Sequence, residues 1–180
     1  MSATTTIIIC GPSGSGKTSL AKAVQEALLP AMWLAFSVDS LFYSLPESVV
    51  ERCNRKNDWS GVDGSAICSG ALACLQALVK TGNRVIFDAV VTRGKSASQL
   101  LAASKDLNPF MVRLHCTWEE IQRRTVARGD RTLEEAEASF QKADDTLDCH
   151  LTINTTHLNA AEAAALVVEN LKVWNPQSTV

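Results

Sequence analysis

Short apolar runs alternate along the chain with longer segments in which apolar residues recur every three or four positions. The runs at 6–10, 33–38, 84–87, 110–116 and 151–154 predict five strands. Several are apolar throughout and do not alternate, as in parallel strands covered on both faces. The segments at 17–29, 65–80, 95–105, 118–127, 133–147 and 160–173 carry the helical period. Thr117 with Glu120 and Thr132 with Glu135 have the spacing of a capping box, and Asn159 with Glu162 has a variant of it. Gly82-Asn83 and Asn108-Pro109 punctuate the chain before strands. This alternation predicts one doubly wound α/β domain with a five-stranded, mainly parallel sheet. The segment 44–65 resists assignment. It mixes a short helical pattern with a polar, glycine-containing loop. It reads equally as a solvated surface insertion and as a functional segment. The last residues, 175–180, read as a frayed tail, so the expected domain is 1–174.

Composition narrows the class. A chain of 180 residues, 46% hydrophobic and 20% charged, is the size and make-up of one ordinary globular domain. A net charge of -2 gives no footprint for a nucleic-acid partner. None of the six cysteines forms a C-x-x-C pair or a zinc-like spacing with histidine, so free thiols in a reducing compartment are expected. The N-terminal "MSATTTIIIC" lacks a basic region and a long apolar run, and no stretch has the length of a membrane span. A cytoplasmic protein without a membrane partner is the expectation. The sequence leaves the oligomeric state open.

One stretch carries specific chemistry. Gly11-Pro12-Ser13-Gly14-Ser15-Gly16-Lys17-Thr18 fits G-x-x-x-x-G-K-[ST], with an apolar run before it and a helical pattern after it. Glycines let successive backbone N–H groups converge, and a helix N-terminus adds partial positive charge at the same point. Lys17 is placed to reach the β- and γ-phosphates of a nucleoside triphosphate. Thr18 offers Mg²⁺ a hard oxygen ligand, and Ser19 follows it into the helix. ATP and Mg²⁺ are therefore the expected cofactors. No guanine-reading N-K-x-D occurs, which argues against a GTPase switch.

Two further features bear on where the phosphate goes. "RRTVARGDR", from Arg123 to Arg131, has arginines spaced for a lid of about 124–133. Arg124, on the surface of its helix, would stack on adenine. Arg128 and Arg131 would close on the phosphates, because phosphoryl transfer depends on positioning and on neutralising charge. The stretch "WLAFSVDSL" ends a strand-like run in Asp39, while Asp88 ends the third run. In an open parallel sheet, the carboxyl ends of these strands share one edge with the glycine-rich loop. Asp39 is best read as the base that takes the proton of an attacking hydroxyl, with Asp88 in the Mg²⁺ shell or orienting the acceptor. Competing readings exchange the roles of the two aspartates, or make Asp39 the cap of a helix starting at Ser40.

These stretches resemble the chloramphenicol phosphotransferase-like P-loop kinases. The similarity lies in "WLAFSVDSL" with Pro46 after it, in "ARGDR", and more weakly in "DTLDCHLTINTTH". The resemblance implies a single-domain P-loop fold of the nucleoside-monophosphate-kinase type, with a small lid. It implies an ATP-dependent kinase acting on a hydroxyl of a small molecule, such as the antibiotic. In that family the aspartate of V-D-S is the proposed base, which falls on Asp39. The lid arginines fall on Arg124, Arg128 and Arg131. The chain departs from the pattern in its "GPSGSGKT" loop, in Ala89 after Asp88, and throughout 44–65. That last segment should wall the acceptor pocket, for which Tyr43 and Trp59 are the candidate aromatics. A metabolite kinase with an unrelated acceptor, or a nucleotide-binding regulatory module without transfer, remain the alternatives.

Overall fold

The computed structural model describes residues 4–129, 132–143 and 145–174. Five strands form one parallel sheet in the order β2-β3-β1-β4-β5. They are β1 (Thr6–Cys10), β2 (Leu34–Ser37), β3 (Val85–Ala89), β4 (Phe110–His115) and β5 (Leu151–Asn154). The helices are α1 (Lys17–Ala27), α2 (Val38–Phe42), α3 (Glu47–Lys56), α4 (Gly64–Lys80), α5 (Lys95–Ser104), α6 (Trp118–Arg128), α7 (Leu133–Lys142) and α8 (Ala160–Val173), with a 3-10 turn at Lys105–Leu107.

The continuous apolar character of β1 has a direct cause. Ile7 and Ile9 pack on one face with Leu20 and Val24 of α1 and Val167 of α8. Ile8 and Cys10 pack on the other, with Ala71 and Leu75 of α4 and Leu100 of α5. Every residue of β1 and β3 is buried, so neither strand has a polar face. The chain lays β2 and β3 on one side of β1, and β4 and β5 on the other. Such an order leaves a crevice beyond the carboxyl end of β1, where ligands of open α/β sheets bind.

The boundaries differ from expectation where a competing backbone partner intervenes. Helix α1 stops at Ala27 and not at Leu29, because the residue before Pro30 disfavours the helical region. Helix α7 stops at Lys142, well short of Leu147. Ala143 turns extended and bridges to Thr92, while the Lys142 carbonyl accepts the Arg93 N–H. Strand β2 ends at Ser37, since Ser37 caps α2: it accepts the Ser40 N–H, and the Ser40 hydroxyl accepts the Ser37 N–H. Asp39 is therefore not a cap but a first-turn residue of that helix. Strand β3 runs to Ala89, so Asp88 lies inside it, level with Ile9 of β1 and Ser37 of β2.

The capping boxes at Thr132 and Asn159 form as expected. The one at Thr117 does not, because Arg123 and Arg124 draw the Glu120 carboxylate away at 2.7 Å each. The predicted tail 175–180 lies outside the described residues. Among those described, no helix is long and apolar enough to cross a membrane.

Candidate active site

Beyond Cys10, the chain turns into the glycine-rich loop. A Cβ on Gly11 would lie 2.7 Å from the Leu114 carbonyl oxygen, so no larger residue lets the loop pass this close to β4. Gly16 takes a left-handed conformation (φ 95°) at the N-cap of α1, a backbone that glycine adopts without strain. Lys17 is 7% exposed, and its Nζ donates to the Pro12 carbonyl at 2.9 Å, which folds the side chain back over the loop. The Ser15 carbonyl accepts from Thr155 Oγ1 at 2.8 Å and from Arg124 at 3.3 Å. The Ser13 N–H donates to Ser139 Oγ of α7 at 2.8 Å, so α7 touches the loop directly.

Thr18 and Asp88 meet. The Thr18 hydroxyl donates to Asp88 Oδ2 at 2.9 Å. Burial pushes the Asp88 carboxyl above the ordinary aspartate range. Lys17 and the Thr18 hydrogen bond oppose that rise, and the nearby Asp39 charge adds to it. A hydroxyl and a carboxylate side by side, both hard oxygen donors, fit Mg²⁺. No cluster of three or more metal-ligating side chains occurs among the described residues.

Three cavities line up around this core. The first, ≈ 400 Å³, lies between the loop, α6 and the start of α8, with Arg124, Arg128, Thr155 and Asn159 in its walls. The second, ≈ 220 Å³, holds Lys17, Thr18, Asp88, Asp39 and Arg128. The third, ≈ 700 Å³, is walled by Phe42, Tyr43, Asn54 and Trp59, and by Glu134 of α7. Asp39 lines both the second and the third, together with Val38 and Cys68. Arg128 lines both the first and the second.

Arg124 is not the surface residue the sequence suggested. Its side chain is 22% exposed; it ties α6 to Ser15 and to the Thr155 carbonyl (2.7 Å) and pairs within the helix with Glu120 (2.7 Å). Hydrogen bonds from Arg123 and Arg124 hold the Glu120 carboxyl down at about 2. Arg131 lies outside the described residues.

The segment 44–65 is more ordered than its pattern implied. Helix α3 occupies its first half, and the following loop is stapled to itself. Arg52 pairs with Asp58 and donates to the Ser60 carbonyl at 2.6 Å. Asp58 accepts from the Ser60 hydroxyl at 2.6 Å and from its N–H at 3.0 Å. Those hydrogen bonds hold the Asp58 carboxyl below its usual range. Trp59 Nε1 donates to Asn57 Oδ1 at 3.0 Å, and the indole packs 5.3 Å from the Phe42 ring. The loop therefore sets an aromatic wall in place.

A comparison with known proteins now has a site to attach to. The model of the chloramphenicol phosphotransferase-like family matches residues 4–172. The chain belongs to the chloramphenicol phosphotransferase-like family. A protein of Mycobacterium tuberculosis (strain H37Rv), named provisionally as an O-phosphotransferase, is 25% identical over 143 residues; the match covers 69% of this chain and 63% of that relative. The fold is shared with a gluconokinase from Sinorhizobium meliloti 1021 (TM-score 0.68, 17% identity, 93% of this chain and 91% of that one). It is also shared with the Mycobacterium tuberculosis APS kinase solved with AMPPNP and APS (TM-score 0.68, 17% identity, 93% and 98%). The domain is thus a P-loop kinase fold, and its family is one of phosphotransferases.

Sequence reasoning missed several lining residues of this family member. Cys68 and Phe42 are one apolar residue among many in the sequence, and only packing selects them. Asn54 lay in the unassigned segment. Thr155 and Asn159 carried a usable signal: the cap at Asn159 marks a helix N-terminus just after the strand that ends beside the loop.

Proposed function

We propose that this protein transfers the γ-phosphate of ATP to a hydroxyl of a small molecule held in the aromatic cavity. The observation that carries this reading is the position of Asp39. Its carboxylate forms the wall common to the phosphate-side cavity and the ≈ 700 Å³ cavity. It has no hydrogen-bond or ion-pair partner among the described residues. A binding module without transfer has no use for an unpaired carboxylate at that junction.

The residues then divide the work. Backbone N–H groups from Gly14 to Thr18 and the N-terminus of α1 cradle the phosphates, with Gly11, Pro12, Ser13 and Ser19 shaping the cradle. Lys17 neutralises β- and γ-oxygens. Thr18 and Asp88 hold Mg²⁺, which would offset the charge of the phosphate groups when bound. The base of the nucleotide occupies the cavity between α6 and α8, against Arg124. Asp39 orients the acceptor hydroxyl and takes its proton as the oxygen bonds to phosphorus. Arg128, and Arg131 from the adjoining segment, contribute positive charge to the transferring group. The region 124–133 acts as the lid of a domain spanning 1–174, and 44–65 as its acceptor wall. Hydrophobic antibiotic alcohols such as chloramphenicol are the first acceptors to try, and hydroxylated metabolites the second.

The test is acceptor-dependent ADP release across a panel of hydroxylated antibiotics and metabolites, with the product mass rising by one phosphate. Single-turnover transfer in Asp39→Asn should then fall by roughly 10²-fold, the low end for loss of acid–base catalysis. ATP affinity and the Mg²⁺ titration should hardly move. Near-normal transfer would remove Asp39 as base and leave Asp88 to be tested. A sharp Mg²⁺ shift would move Asp39 to the metal site.

A further inference from the structure

Among the described residues, the charged lining of the ≈ 700 Å³ cavity beside Asp39 has one sign. Its ionisable carboxyls are Asp39, Glu134 and Glu135, and no lysine, arginine or histidine lines it among the described residues. Glu134 is exposed and has neither a hydrogen-bond nor an ion-pair partner among the described residues. Glu135 accepts the Thr132 N–H with Oε2 at 3.2 Å, as part of its capping box. The facing wall is aromatic. Tyr43 and Trp59 are both exposed and flank the buried Phe42, each with its ring 5.3 Å away. The Asn57 hydrogen bond holds the indole in place. Asn54 adds an amide with no partner among the described residues.

This combination has a definite chemical preference. Aromatic faces and carboxylates both attract a cation, and a flat apolar body stacks on the same faces. An acceptor carrying a carboxylate or phosphate would meet like charge there, with no lysine or arginine among the described lining residues to offset it. We propose that the cavity selects alcohols bearing an ammonium group beside a flat apolar body, and rejects anionic acceptors. The hydroxyl lies toward Asp39, on the side shared with the phosphate cavity, and the ammonium group toward Glu134 and the Tyr43–Trp59 wall. Selection by charge is a binding property of this cavity, and the fate of the hydroxyl rests on the phosphotransfer reading above.

Three probes separate the two claims. Phenylalaninol, N-acetylphenylalaninol and N-succinylphenylalaninol share one phenyl ring and one primary hydroxyl, and differ in charge from positive to neutral to negative. Calorimetry on the full chain, loaded with Mg²⁺ and a non-hydrolysable ATP analogue, should rank them in that order. About tenfold is expected at each step, from cation–aromatic and carboxylate contacts together. The spread should shrink in high salt, because rim charges are screened. Glu134→Gln should cut the amine preference severalfold, and Glu134→Lys should lift the succinyl probe above the acetyl one. The proposal is overturned if the succinyl probe binds as tightly as the amine, if no probe binds, or if Glu134→Lys leaves the ranking unmoved. A preserved ranking without ATP-dependent phosphorylation of any hydroxyl compound would instead remove the kinase reading and leave the charge selection standing.

Discussion

On the nucleotide side of Asp39 the site is made largely of main chain that other groups already hold. The Ser15 carbonyl takes hydrogen bonds from Arg124 and Thr155, the Ser13 N–H is matched to Ser139, and Lys17 is folded onto Pro12. On the side of the ≈ 700 Å³ cavity, the proposed acceptor side, the lining is side chain, much of it exposed. Trp59 is 43% exposed, Tyr43 is exposed, and Glu134 and Asp39 have no partners among the described residues. A cradle built from backbone suits one ligand group, phosphate, whatever the side chains nearby. A wall built from side chains can be rewritten position by position. The difference teaches where to look for what is individual about this family member: on α2, α3, the stapled loop and the first turn of α7.

The largest effect should come from the cradle. Lys17→Ala removes the charge that neutralises the β- and γ-oxygens, and turnover should fall by about 10²–10³-fold with weaker ATP binding. If titration and turnover both stay within twofold, the loop does not hold the phosphates. Arg128→Ala comes next. Its residue lies in the walls of both the ≈ 400 Å³ and the ≈ 220 Å³ cavities, and on the proposed reading its contacts strengthen as charge develops. Its kcat should drop by more than its ATP affinity. Arg124→Ala should show the reverse split, with weaker ATP binding and some loss of stability, since Arg124 ties α6 to the loop and to Thr155. Equal losses in binding and turnover for both variants would break the division between them.

Trp59→Ala probes the other side. Loss of the aromatic face should raise the acceptor KM by roughly tenfold, the scale of one to two kcal/mol of stacking and burial. The KM for ATP should not change. An effect on both substrates would mean that the two cavities are not separable.

Asp88→Asn sets the smallest and most diagnostic effect. The folded-state pKa of Asp88 is raised, so ionising it costs the fold stability. That cost is absent below the ordinary aspartate value of 3.8 and fully present above the raised one. Without nucleotide, wild-type stability should therefore decline across that interval as pH rises, and the Asn variant should lose this decline. At neutral pH the variant should melt no lower than wild type, yet gain less from Mg²⁺ with ATP. Thermal melts against pH, with and without Mg²⁺ and ATP, read both. A variant that is as strongly protected by Mg²⁺ and ATP as wild type would take Asp88 out of the metal shell.

Much of the fold was legible because burial writes itself into periodicity. The runs 6–10 and 151–154 and the helix 160–173 match the observed elements residue for residue. Misses arose where one local signal lost to a competing partner. Thr117 and Glu120 have the spacing of a capping box, but Glu120 binds the two arginines that follow it. The period of α7 continues to Leu147, but Thr92 captures the backbone at Ala143. In 44–65 only a short helical pattern shows, because α3 buries chiefly Cys53 and the loop after it is held by polar staples.

The phosphate cradle is a contiguous stretch in which the order of glycines, lysine and threonine is itself the geometry, so the sequence alone determined it. It also determined that Asp39 and Asp88 would stand at one edge of the sheet, because parallel strands present their carboxyl ends together. Only the tertiary structure decided that Thr18 touches Asp88, that Arg124 is a tether, and that Phe42, Trp59 and Glu134 face one cavity with Asp39. Apart from Asp39 and Phe42, which share α2, those residues come from different elements. Their approach is set by how helices pack on the sheet, which no single stretch of chain encodes.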